Sequence, residues 1–368
     1  MAIDILIVNY FSAKDVVRAI ETLGCDPQWT YWVIDNSADD TEWGQLQQAI
    51  QHSVLVNPQL SVHLERSGEN LGFGRACNAL FAKGHASYCL LLNPDARITT
   101  PALKHLLAQA QKRSDLGALA PVMYSNEECA WVIPKMLAQS AGQFFYEALM
   151  RTHQTVYQWL WRHYYQSEQR QLEQTGLLMQ RYLSGAIVLL QRAAIMQASR
   201  DFQGIFDPRY FMFFEDADLS RRLVQEKFNL AIDRQVKAVH QYQHHASKNA
   251  LMQTSHTQYA KRYFPWLSWL RRYWTSLDAS PQWLETLYAQ EPQAHSLEQL
   301  NAILGQRQLI AWSPSPLVIP ALWRSPLKHQ LPSFSQTSWD GLAPGHYYGV
   351  ACQPNLPNDQ LSWLRFTR

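Results

Sequence analysis

Apolar runs and amphipathic stretches alternate through the first third of the chain. IDILIVNY (Ile3 to Tyr10) predicts a buried strand, and Ser12 stands where it can cap the helix that follows. TYWVIDN predicts a second strand, followed by a helix from about Asp40 to Gln51. LSVHLER predicts a third strand, with a helix after it from about Phe73 to Lys83. SYCLLLN reads as a fourth strand with a helix after Pro101, and LGALAPV reads as a fifth. Strands alternating with helices build an α/β fold, a mostly parallel sheet flanked by helices on both faces. Ligands of such sheets bind beyond the carboxyl ends of the strands. The polar residues Asn9, Asp35, Asn36, Asn93 and Asp95 all fall at those ends.

The alternation then breaks. Residues 134–181 read as a helical insert rich in Gln, Leu and aromatics. YLSGAIVLLQR restores a strand, LAIDRQVKAVH predicts another, and residues 250–277 read as helical. From Ser280 prolines multiply and short apolar runs (SPLVIPALW, LAPGHYYGVAC, LSWLRF) predict short strands. The expected organisation is a main domain over 1–279 and a small β-rich accessory domain over 280–368.

Composition narrows the class. An apolar fraction of 47% in 368 residues is ample for buried cores. A net charge of +2 speaks against nucleic-acid binding, which needs a basic face. The five cysteines form no CxxC pair, so reduced thiols and a cytoplasmic location are expected. MAIDILIVNY lacks the basic and long apolar regions of a secretory signal, and no run of 18 apolar residues is present. The segment Tyr263 to Trp274 joins Trp266, Trp269 and Trp274 to Lys261, Arg262, Arg271 and Arg272. It reads either as a peripheral contact with the inner face of the plasma membrane or as packing between domains.

The segment RYFMFFEDADLSRR (Arg209 to Arg222) carries the strongest chemistry. Its aromatic wall runs into Glu215, Asp216 and Asp218, and poor solvation with like-charge neighbours raises a carboxyl pKa. That suits a proton acceptor, although acidic residues also favour a helix N-terminus. Asp35 and Asn36 supply an acceptor and an amide that can read a pyrimidine edge, or close an Asx-turn. NLGFGRACN (Asn70 to Asn78) has Cys77 where the dinucleotide fingerprint needs a third glycine, which excludes an ordinary Rossmann cofactor site. Its glycines still allow close backbone approach to a nucleotide, and Arg75 can offer charge to a phosphate. In LLLNPDA a carboxylate just past a buried strand can hold Mg²⁺ or Mn²⁺, with His240 as a candidate partner. His240, His244 and His245 do not have zinc-finger spacing.

In their order, IVNY, IDNS, NLGFGRACN, LLLNPDA, YLSGA, FDPRYFMFFEDADLSRR and VH..HHASK resemble glycosyltransferase family 2, especially its bacterial rhamnosyltransferase-like branch. The resemblance covers about Ile3 to Phe264. It implies a GT-A fold and transfer of a sugar from a nucleoside diphosphate with inversion. It implies that Asp35 and Asn36 hold the base with Asn9 beside it, and that Asn70, Gly72, Arg75 and Asn78 line the nucleotide. Asn93 and Asp95 match the family's DxD metal motif, with Asn in place of the first acid. Ser184, Gly185 and Ala186 would face the donor sugar, Asp216 in the Glu215–Asp216 pair matches the catalytic base, and His240 matches a late metal ligand. Arg75 or Arg222 would help to stabilise the leaving diphosphate. The implied partners are a dTDP- or UDP-sugar donor, of rhamnose or a hexose, and a glycan or lipid-linked acceptor in surface polysaccharide assembly. A nucleotidyltransferase would want a glycine-rich loop after the first strand, and IVNYFSAKD has no Gly. A non-catalytic carbohydrate-binding or scaffolding protein on the same fold finds its support in Asn93 alone.

Overall fold

The structure, a computed structural model, describes residues 2–134, 140–241, 249–268, 282–305, 307–315, 317–318, 320–324, 334–352 and 361–368. The chain opens with β1 (Ile3–Asn9), α1 (Ala13–Leu23), β2 (Trp29–Asp35), α2 (Asp40–Val56), β3 (Val62–Arg66), α3 (Phe73–Lys83), β4 (Tyr88–Leu92), β5 (Ala96–Arg97), α4 (Thr100–Lys112) and β6 (Leu116–Tyr124). β7 (Trp131–Val132), α5 (Ala141–Met150) and α6 (Gln154–Glu173) follow. Next come β8 (Leu177–Gln180), β9 (Ile187–Gln191), α7 (Arg192–Ala198), α8 (Glu215–Gln225), β10 (Asn229–His240) and α9 (Asn249–Tyr263). The tail carries α10 (Gln282–Gln290), β11 (Gln293–Ala294), α11 (Leu297–Leu304), β12 (Gln308–Ser313), β13 (Leu322–Arg324), α12 (Gln336–Asp340), β14 (His346–Cys352) and β15 (Ser362–Thr367). It therefore has helices as well as the expected strands; its Pro and Ser texture hides three short amphipathic runs.

Two compact units result. The first comprises Met1–Met123, Thr175–His240 and Ser247–Tyr259. Its sheet runs β3-β2-β1-β4-β9-β6. β1 pairs in parallel with β2 and β4, and β2 with β3. β9 runs antiparallel to both β4 and β6. β10 pairs antiparallel with β8 and with β5, where His240 sits opposite Ala96. Alternate residues of β1 feed opposite cores, which is why its sequence is apolar on both faces apart from Asp4 and the terminal Asn9. Ile3, Ile5 and Ile7 pack with Val16 and Ile20 of α1 and Leu103 and Leu106 of α4. Leu6 and Val8 pack with Cys77 and Leu80 of α3 and Leu219 and Leu223 of α8.

The second unit comprises Tyr124–Gln174, Gln241–Ala246 and Ala260–Arg368. Its strand order is β11-β15-β14-β12-β13-β7. The aromatic segment Tyr157 to Tyr165 is core on one side: buried Tyr157 packs at a tilt against Trp283 and Trp363, and buried Trp161 against Trp323 and edge-on to Trp363, while Trp159 is exposed. Of the segment Tyr263 to Trp274, Trp266 is exposed, whereas Trp269, Arg271, Arg272 and Trp274 lie outside the described residues. Among the described residues no helix is long and apolar enough to cross a membrane.

One charge interrupts the buried β1 run. Asp4 is 4% exposed and accepts hydrogen bonds from Ala86 N (2.8 Å), Trp32 Nε1 (2.9 Å) and Arg192 Nη2 (2.9 Å). Gly84 makes room for it, since a Cβ there would overlap the carboxylate. Removing one partner of a buried pair leaves the other charge uncompensated, at about 3–5 kcal/mol. Asp4→Ala is therefore expected to lower unfolding free energy by about 3 kcal/mol, because Arg192 keeps carbonyl partners in Ala86 and Phe81. Urea titration measures it, and a loss under about 1 kcal/mol would show that the network is not structural.

Candidate active site

The carboxyl ends of β1 and β2 meet at Asn9 and Asp35, which are register partners and fully buried. Asn9 Nδ2 donates to Asp35 Oδ1 (3.0 Å) and to Glu42 Oε1 (2.9 Å). Asp35 Oδ1 also accepts from the amide and hydroxyl of Ser37 (3.2 and 2.7 Å). That leaves Asp35 Oδ2 buried and without a hydrogen-bond partner among the described residues. Glu42 also accepts from Ala13 N (2.8 Å), so α2 caps α1 from outside. Ser12, expected to cap α1, makes no side-chain cap bond, because its hydroxyl is held by Asn9 Oδ1 (3.0 Å).

Asn36 turns toward the loop after β3. Its Nδ2 donates to Asn70 Oδ1 (3.0 Å), and its Oδ1 accepts from Leu71 N (2.9 Å) and Ser67 Oγ (3.2 Å). Asn70 Oδ1 also accepts from Gly72 N (3.0 Å). Gly72 has φ +78, and a Cβ there would collide with the Phe211 carbonyl, whose oxygen accepts from Phe73 N (2.9 Å). The same helix reaches the loop before the acidic segment. Asn78 donates to Phe206 O (2.7 Å) and accepts from the amides of Ile205 and Phe206 (2.8 and 2.9 Å), while the exposed Arg75 donates to Pro208 O (3.0 Å). Asn78 thus anchors loop 204–208, and Arg75 spends one donor there.

Past β4, Asn93 N donates to Ala186 O (2.8 Å), and Asn93 Oδ1 is buried without a hydrogen-bond partner among the described residues. Asp95, with its side chain 39% exposed, lies 3.3 Å from Nε2 of the buried His240. Two residues 145 positions apart are thereby joined (240 − 95), as the pairing of His240 with Ala96 requires. Behind them Arg97, 5% exposed, donates to Pro94 O, to Ala96 O (2.7 Å) and to Asp15 of α1 (3.1 Å), fixing the turn. Among the described residues no cluster of three His, Cys, Asp or Glu could hold a metal by itself. His244 and His245 lie outside the described residues.

Ser184, Gly185 and Ala186 bridge this turn to the acidic segment. Gly185 N donates to Asp216 Oδ2 (3.2 Å), and Ala217 N to Asp216 Oδ1 (2.8 Å); Ser184 Oγ accepts from Ala186 N (3.3 Å). Asp216 is half-buried; burial raises its pKa, and the backbone donors at Gly185 and Ala217 hold the rise back. Glu215 differs. It is buried with Oε2 unpartnered among the described residues, and burial first, then the charge of Asp216, lifts its pKa well above the ordinary 4.5. Asp218 is fully buried against Arg222 (2.7 Å). Arg222 also donates to Ala198 O, Ser199 Oγ and Ile205 O, so it is spent inside the protein and is not available to a leaving diphosphate.

The pair is preceded by Phe213 and Phe214, consecutive non-glycine residues at φ +68 and +65. Each costs on the order of 1–3 kcal/mol and persists only where the surroundings impose it. The sequence does not announce this turn, nor the roles of Glu42 and Arg97. Glu42 reads as an ordinary first-turn acid, while Arg97 is signalled only by standing two residues after Asp95.

Residues 4–179 match the family model described as Glycosyl transferase family 2. The match ends before Ser184, Glu215, Asp216 and His240. The chain is 27% identical over 177 residues to the N-acetylglucosaminyl-diphospho-decaprenol L-rhamnosyltransferase of two strains of Mycobacterium tuberculosis, covering 44% of this chain. The chain spans about half the length of these curated relatives (53%). Among solved structures it is similar to the mannosyltransferase PcManGT of Pyrobaculum calidifontis, in complex with GDP-Man and Mn²⁺, at 12% identity and a TM-score of 0.47 over 71% of this chain and 64% of that one. It is also similar to GalNAc-T7 with UDP, GalNAc and Mn²⁺, at 11% identity and a TM-score of 0.48 over 71% and 48%. On its mostly parallel sheet flanked by helices, the chain is thus similar over residues 4–179 to glycosyl transferase family 2, and in sequence to an L-rhamnosyltransferase.

Proposed function

We propose that the chain is an inverting glycosyltransferase that moves rhamnose or a hexose from a dTDP- or UDP-linked donor to a glycan or lipid-linked acceptor, in bacterial surface polysaccharide synthesis. The observation that carries this reading is a continuous set of contacts: Asp95 to His240, Asn93 to Ala186, and Gly185 to Asp216. It joins a candidate diphosphate site to a candidate base across four separate stretches of chain. The Mycobacterium tuberculosis relatives are named for a decaprenol-linked acceptor, which supports a lipid-linked one here.

Each residue has a role that its surroundings support. Asp35 Oδ2, buried and unpartnered, suits an N–H of a pyrimidine base; Asn9, Asn36 and Asn70 hold the base pocket in shape, and Gly72 lets the chain approach the nucleotide. Asp95 and His240 would hold a divalent ion such as Mg²⁺ or Mn²⁺. Asn93 Oδ1 fits as a third donor, since oxygen-rich sites with few protein ligands are completed by substrate phosphates. When bound, the ion would neutralise charge on the leaving diphosphate. Ser184, Gly185 and Ala186 border the sugar. Asp216 takes the proton of the acceptor hydroxyl as it attacks the anomeric carbon, a contribution of about 10²–10⁴-fold. Burial first, and the charge of Asp216 next, push the pKa of Glu215 up and so favour its neutral form beside Asp216.

Three outcomes are expected. Asp216→Asn folds and binds donor but loses at least about 10²-fold in turnover, read as nucleoside diphosphate release; unchanged kcat would sink the base assignment. UDP or dTDP at 100 times its Kd, with Mn²⁺, stabilises by about 2.7 kcal/mol, and Asp95→Ala removes the metal-dependent part. Stabilisation by GDP alone would rule out the pyrimidine reading of Asp35. The third concerns pH. Because the folded pKa of Glu215 is raised, the folded state binds the extra proton, so this residue's contribution to stability is present below about pH 4.5 and is lost as pH rises above it. Glu215→Gln should flatten that loss, making the variant progressively more stable than wild type from about pH 5 upward. Parallel urea midpoints across that range would show Glu215 to be ionised in the folded protein.

A further inference from the structure

We propose that Ser255 of α9 is a positioning residue for Asp216: its hydroxyl latches the left-handed turn that aims the base. This rests on the reading of Asp216 as the base. Ser255 is 4% exposed, and its Oγ donates to Met212 O at 2.6 Å. A helical serine ordinarily returns its hydroxyl to the carbonyl four residues back; this one crosses to a turn 43 residues earlier in the chain. The preceding carbonyl, of Phe211, is claimed by Phe73 N of α3 (2.9 Å). Two successive carbonyls are thus fixed by two different helices directly before Phe213 and Phe214 take positive φ.

α9 also grips the far side of the turn. The Phe214 ring lies 5.3 Å from His256 and 5.6 Å from the fully buried Tyr259. The Tyr259 hydroxyl is 3.5 Å from that of Tyr182, two residues before Ser184. One helix therefore touches both strands of chain whose meeting makes the Gly185–Asp216 hydrogen bond. Phe214 is the N-cap of α8, and Asp216 stands in that helix's first turn. Relaxation of φ and ψ at 213–214 swings the first turn, and the carboxylate leaves Gly185 N. A displacement of about 1 Å at a reacting group costs on the order of 10²-fold in rate.

Wild type, Ser255→Ala, Ser255→Thr and Phe213→Gly with and without Ser255→Ala, each as the 368-residue chain, test this, with nucleoside diphosphate release from dTDP-rhamnose and UDP-glucose as the assay. Ser255→Ala should lower kcat by about 10- to 100-fold while donor KM stays within about twofold. Ser255→Thr keeps the hydroxyl and should recover most of the rate. Glycine adopts positive φ without strain, so in the Phe213→Gly background Ser255→Ala should cost much less, a non-additivity that a merely structural serine would not produce. Hydrogen exchange supplies an arm that needs no substrate. In Ser255→Ala the peptide spanning Phe211 to Ala217 should exchange faster, with β1 and β4 unchanged. Unchanged exchange in that peptide overturns the proposal even if neither donor turns over, and so does uniform acceleration across the protein. If Asp216→Asn keeps full turnover, the base assignment fails. If it loses turnover while Ser255→Ala keeps both kcat and exchange, the latch alone fails.

Discussion

β9 runs antiparallel between β4 and β6, so the residues that enter it, Ser184 to Ala186, stand beside the carboxyl end of β4. In an all-parallel sheet the start of a neighbouring strand would lie at the opposite edge. This single reversal lets Asn93 N bond Ala186 O and leaves Gly185 N free to reach Asp216. At the carboxyl end of β10, antiparallel pairing with β5 sets His240 opposite Ala96 and hence beside Asp95. Parallel strands bring Asn9 and Asp35 to the mouth of the sheet; antiparallel ones bring the remaining chemistry to them.

Burial then divides residues that look alike in sequence. Glu215, Asp216 and Asp218 form one acidic cluster, yet they meet three environments. Asp218 is matched by Arg222, whose other donors tie down loop 198–205. Glu215 has an orphaned oxygen and is pushed toward its neutral form. Asp216 alone combines partial exposure with two backbone N–H donors, which favour a carboxylate. With the pKa of Glu215 pushed up by burial and by Asp216, the pair is relieved of part of the like-charge cost that two carboxylates would incur.

The alternating pattern of the first 124 residues made their strands and helices legible, because β1, β4 and β6 are covered on both faces and are therefore mostly apolar. The pairing of Asp95 with His240 was legible through motif order rather than spacing. What the sequence concealed is mostly polar wiring. Asn36 and Asn78 are amides of the same kind as Asn93, yet they bond within the protein, while Asn93 Oδ1 has no hydrogen-bond partner among the described residues. Which amide is spent depends on loops from elsewhere in the chain, and no local pattern encodes that. Two phenylalanines at positive φ are hidden for a related reason: tertiary contacts from α3 and α9, not residue preference, impose the conformation.

Asn at position 93 shapes the electrostatics of the candidate diphosphate site. A second carboxylate there would add negative charge near Asp95 and hold a divalent ion more firmly by itself. With Asn, one carboxylate and one imidazole remain, while Arg97 lies behind the turn on the cationic side. The candidate site's net charge is thus closer to neutral, and under the proposed reading a divalent ion there would depend more on the phosphates of the donor. Ion and donor would then bind as a unit, each raising the affinity of the other by the same factor. Among the described residues, Asp35 Oδ2 at one end and Asn93 Oδ1 at the other are buried acceptors without a hydrogen-bond partner, and such a joint ligand would satisfy both.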